Sequence, residues 1–114
     1  MAYTNSAAFG TLRSVAFGSL TTSYAIVGAV LPNPAVAITF KNNTNGIVLV
    51  STDGINDMLV YPGLSYGVYD IRANAPNTVD YLLPKGTPIM VKYSGSAPTS
   101  GSFYIETVLA VVHA

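Results

Sequence analysis

The sequence predicts an all-β domain, a single antiparallel β-sandwich that is jelly-roll-like with about eight strands. Three observations carry this. Ten Gly and seven Pro punctuate the 114 residues every few positions, so no window sustains a helical period. Between them lie β-branched residues and eight Tyr, side chains that suit a pleated, half-buried surface. Turn signals recur at spacings of roughly 8–12 residues, the rhythm of sandwiches and barrels. An immunoglobulin-like sandwich is the competing arrangement, because its strand count overlaps and it does not require a disulfide.

In chain order, residues 1–12 are small and polar apart from Tyr3, Phe9 and Leu12. They carry no stable period and are expected to form an N-terminal arm, with residues 13–114 forming the sandwich. Residues 13–17 alternate, 18–23 break the pattern and 24–27 resume an apolar run, which reads as two strands. Pro32 and Pro34 cannot donate ladder hydrogen bonds and mark 28–34 as a loop. Val36, Ile38 and Phe40 then alternate with Ala37, Thr39 and Lys41, while 47–50 are apolar on both faces. Between these runs sits Asn45-Gly46, the dipeptide that supplies the positive φ of a tight turn. The sequence therefore predicts a central β-hairpin over 38–54, buried in the core.

Asp53-Gly54 reads as a further turn. Residues 58–61 form a short strand that ends at Pro62-Gly63, a pair suited to a type II turn. Residues 66–71 alternate, 73–77 form a turn-rich loop, and 81–83 are briefly extended before the Pro84–Pro88 turn. Ile89, Val91 and Tyr93 share one face of the next strand. Residues 94–101, rich in Ser, Gly and Pro, are expected to be a flexible exposed loop. Phe103 to Val112 alternate as a long closing strand.

The composition excludes several functions. Charged residues are 9% of the chain, well below the roughly 25% of an ordinary soluble domain. The formal net charge is zero, which leaves little repulsion between copies and points to a homo-oligomer. Five scattered Lys and Arg make no stripe for a phosphate backbone, so no direct nucleic-acid partner is expected. No apolar run approaches the roughly 20 residues of a membrane span, and the first ten residues lack the pattern of a secretory leader. Cysteine is absent, which removes disulfides and thiolate metal sites.

Catalytic candidates are few. His113 is the one histidine and stands where fraying rather than preorganisation is expected. Asp53, Asp57, Asp70, Asp80 and Glu106 are the carboxylates, each with a simpler role in a turn or on a solvated face. Asp53-Gly54-Ile55-Asn56-Asp57 offers the oxygens that calcium prefers, but the spacing is not that of an EF-hand and a hydrogen-bonded turn is the better reading. No enzyme activity, cofactor or metal site is expected. Tyr61, Tyr66 and Tyr69 are candidates for a sugar-stacking platform, set against an ordinary role as half-buried sheet residues.

The run Leu31-Pro32-Asn33-Pro34 through Phe40-Lys41-Asn42-Asn43-Thr44, with Val48 to Gly54, Pro62-Gly63, Tyr69-Asp70-Ile71 and Leu83-Pro84-Lys85-Gly86-Thr87, resembles small virion proteins of tailed bacteriophages over roughly residues 19–112. The resemblance implies a β-sandwich subunit located in the virion, in a capsid decoration, head–tail junction or tail role, with other capsid or connector proteins as partners. It carries no functional residues across. The alternative function is a receptor- or carbohydrate-binding module of a phage tail. Tyr3, Phe9 and Leu12 are the candidate partner-binding residues, because they are the large apolar side chains of a segment too sparse to form a core of its own.

Overall fold

The structure, a computed structural model, describes residues 5–70 and 83–112. Nine strands appear among them: β1 (Asn5–Phe9), β2 (Arg13–Ala16), β3 (Ala25–Ile26), β4 (Ala35–Asn42), β5 (Ile47–Ser51), β6 (Leu59–Tyr61), β7 (Ser65–Asp70), β8 (Met90–Ser94) and β9 (Ser102–Val112). A single 3₁₀ turn at Phe17–Ser19 follows β2. The sequence-predicted loop at 73–77, the extended pair Tyr81-Leu82, Tyr3, Asp80 and His113 lie outside the described residues.

β1 and β2 are one edge strand with a bulge. Both pair antiparallel with β9, and the register steps from Phe9 opposite Val108 to Arg13 opposite Ile105. Four steps on one strand against three on the other leave one extra residue at Gly10–Leu12. Gly10 is held there by its N–H on the Thr107 carbonyl at 2.9 Å. A side chain at this position would collide with the Thr107 hydroxyl. The segment read from sequence as an arm therefore lies, over Asn5–Phe9, along the sheet as its edge.

Counting β1 and β2 as one strand gives two four-stranded sheets. The first runs β1/β2-β9-β4-β7 and the second β3-β8-β5-β6. The first and last strands are neighbours, and consecutive strands lie in opposite sheets except for β5 and β6. This is the jelly-roll order, and it excludes the immunoglobulin arrangement, in which strands A and B share a sheet.

The core lies between the sheets. Ile38, Phe40, Phe103 and Ile105 point inward from the first sheet, and Val48, Val50, Tyr61 and Val91 from the second; all are buried. The Phe40 ring sits 5.5 Å from Tyr61 and 6.2 Å from Phe103, centroid to centroid, so aromatic contacts bridge the layers. Alternation along β4 and β9 produces this directly: Phe40 pairs with Ile105 and Asn42 with Phe103 on the inward face.

The predicted central hairpin is not formed. β4 pairs with β7 and β9, whereas β5 pairs with β6 and β8, so residues 43–46 cross from one sheet to the other. The crossing is built on Asn42, which is fully buried. Its amide donates to the carbonyls of Gly46 and Tyr61 at 2.9 Å and of Pro62 at 3.1 Å. Its oxygen accepts from the Thr44 N–H and hydroxyl. Gly46 does not take positive φ. It is glycine because a Cβ would fall 2.8 Å from the Pro98 ring.

Two neighbouring turns also differ from expectation. Positive φ falls on Leu64, at 61°, and not on Gly63; Gly63 instead packs against the backbone of Thr44 and Asn45. The 94–101 loop is tied down rather than free. Pro98 is buried, and Asn45 and Thr99 exchange two hydrogen bonds, at 2.7 and 2.8 Å.

Candidate interaction surface

Cross-strand pairs share a face, so the registers give the outer surface of the first sheet as three rows. One row reads Ser14, Tyr104, Lys41, Tyr66; the next Glu106, Thr39, Val68; the third Phe9, Val108, Ala37, Asp70. Large apolar side chains here face solvent: Phe9 is 91% exposed, Tyr66 73% and Val68 63%. Lys41 and Glu106 pair with each other at 3.3 Å, so the middle of the face carries no net charge. Beside Phe9 and Leu12 lies a hollow of about 400 Å³, floored by Ala37, Thr39 and Val108.

The fold thus brings Phe9 and Leu12 together on one face, as the bulge turns Leu12 toward the same hollow. The sequence reading missed the partners on β4, β7 and β9. Their signal was present: Val108 and Ala110 are apolar at positions opposite to the inward-facing Thr107 and Leu109. The outer face of the second sheet follows the same pattern, with Val60, Ile47 and Ile26 exposed.

The proposed tyrosine platform does not assemble. Tyr61 is core, 5% exposed, and hydrogen-bonds the Tyr69 hydroxyl at 3.0 Å. Tyr66 projects from the opposite face of β7 to Tyr69. Burial, with the Tyr69 hydrogen bond as a smaller contribution, holds the Tyr61 phenol protonated well above its usual range.

The Asp53 loop is a hydrogen-bonded turn. The Asp53 carboxylate accepts from the Asn56 and Ile55 N–H groups, the Asn56 side chain and the Ser51 hydroxyl. These donors hold its pKa well below the carboxylate range. Nearby, the Tyr24 hydroxyl donates to Asp57 at 2.7 Å, and Lys92 pairs with Asp57 while lying 4.6 Å over the Tyr24 ring. This triad ties the residue before β3, and β8, to the β5–β6 connection.

Comparison with protein-family models, with curated proteins and with solved structures found no match to this chain.

Proposed function

We propose that this chain is a structural subunit of a bacteriophage virion, a small jelly roll used in many copies and held by shape and buried area against capsid or head–tail proteins. The observation that carries this reading is the outer face of the first sheet, where Phe9, Tyr66 and Val68 stand exposed around a self-neutralised Lys41–Glu106 pair. Apolar groups gathered on one face mark a surface that is covered in use. The low charge of the whole chain favours close approach of copies. Jelly rolls serve as capsid and lectin domains alike, so the fold agrees with the reading without carrying it.

The test is to probe purified particles of the phage that encodes the chain by mass spectrometry and immunogold labelling. Repeated labelling at capsid or connector positions supports the proposal. Particles that lack the chain contradict it. Val68→Lys, placed on an exposed position, should leave the fold intact and reduce incorporation.

A further inference from the structure

The four sheet edges are not alike. β3 and β6 are two and three residues long, too short to template another strand. β2 is four residues long and carries Arg13, and β7 runs into residues beyond those described. β1 is different: Asn5–Phe9 is five residues without charge or proline. Neither a charged residue nor a proline interrupts it, and the bulge begins only beyond its end, at Gly10.

The hydrogen bonding says which amides are open. Because Gly10 donates to Thr107, the alternation of an antiparallel ladder directs Ala8 and Ser6 toward β9. The N–H and C=O groups of Phe9, Ala7 and Asn5 then face away from β9. Ala7 and Ala8 are exposed, and Phe9 stands almost wholly in solvent at the end of the strand.

We infer that this edge pairs with the same edge of a second copy, β1 against β1 around a two-fold axis at Ala7, so that the two first sheets join into one eight-stranded sheet. This rests on the reading of the chain as an assembling subunit and names its first partner. Antiparallel pairing at this register sets Asn5 against Phe9 of the second copy and Ala7 against its own counterpart, using the same open groups on both sides. Small residues stand at the centre and no charges meet. The two outer faces become continuous, with each Phe9 close to the other copy's Ala7. A five-residue strand pair is smaller than the roughly 800 Å² per partner of a stable interface. Two copies alone therefore associate weakly, and repetition across an assembly supplies the strength.

Cysteine trapping in the full-length chain tests this, since the chain has no cysteine of its own. Ala7→Cys places two thiols about 5.5 Å apart, Cα to Cα, within disulfide reach. Mild oxidation is expected to give several times more linked dimer than Ala8→Cys, whose copies lie offset from the axis. Ala7→Pro removes an N–H that β9 does not use, so it should keep the circular dichroism of the fold and lower association at least about tenfold. Equal linkage by the two cysteine variants, or unchanged association in Ala7→Pro, overturns the pairing. Either result alongside normal particle incorporation leaves the virion reading standing. Specific linkage in a chain missing from particles supports the pairing and refutes the virion reading.

Discussion

The Thr44 hydroxyl donates to the Asn42 side-chain oxygen at 2.6 Å, with both residues fully buried. This contact closes the crossing between the two sheets. Asn42 uses both amide protons and its oxygen on five partners around one bend, so two polar residues sit in an apolar core with their bonding satisfied.

Asn42→Leu should destabilise the domain by about 2–3 kcal/mol, because the buried Tyr61 carbonyl, the part-buried Gly46 and Pro62 carbonyls and the buried Thr44 N–H all lose the Asn42 side chain. Thr44→Val should cost about 1–2 kcal/mol, since it removes one hydroxyl and leaves the Asn42 donors engaged. Chemical denaturation at neutral pH checks both. Equal costs would show that the network does not act through Asn42.

Gly46→Val should destabilise by roughly 1–3 kcal/mol through overpacking against Pro98. Pro98→Ala should relieve part of that loss. A double-mutant cycle decides between this clash and a turn requirement, because a positive-φ requirement would be indifferent to residue 98.

The lowered Asp53 pKa gives a pH dependence of known sign. A carboxylate whose folded pKa lies below its unfolded value of about 4 stabilises fully above that value and loses its contribution as pH falls through the folded pKa. The stability difference between the parent and Asp53→Asn, from urea midpoints, should be constant near pH 6 and narrow below about pH 4. A difference that stays constant down to pH 2 would contradict the turn's dependence on the charged carboxylate.

Asp57 is also held low, first by the Tyr24 hydroxyl and secondarily by Lys92. Tyr24→Phe and Lys92→Met should each raise the Asp57 pKa, as read by carboxyl-carbon NMR titration. No rise in Tyr24→Phe would contradict the hydrogen bond from the Tyr24 hydroxyl.

Much of this fold is legible in the sequence, and the errors share a cause. The alternation of Phe103 to Val112 and of Val36 to Lys41 gives β9 and β4 correctly, since one buried face imposes period two. Asn45-Gly46 suggested a hairpin because local turn chemistry is read without knowledge of pairing. What decides that bend is Asn42 binding Tyr61 and Pro62, 19 and 20 residues away. Asn5–Phe9 looked like an arm because an edge strand takes its conformation from the neighbour it pairs with, here residues about 100 positions later. Of the interaction face, Phe9 and Leu12 were legible as unplaced apolar residues. Val108 left a signal as an apolar residue at an outward position of β9, whereas Tyr66 and Val68 left none, since only the register sets them beside Phe9.

Density in intact particles, at a resolution that separates strands, puts assembly by these sheet surfaces to the most direct test. The expected result is this jelly roll repeated at symmetry-related positions, with Phe9, Tyr66 and Val68 covered by a neighbour and β1 edges meeting at Ala7. A jelly roll present in the particle with the outer face of the first sheet open to solvent, or no such density at all, would contradict it.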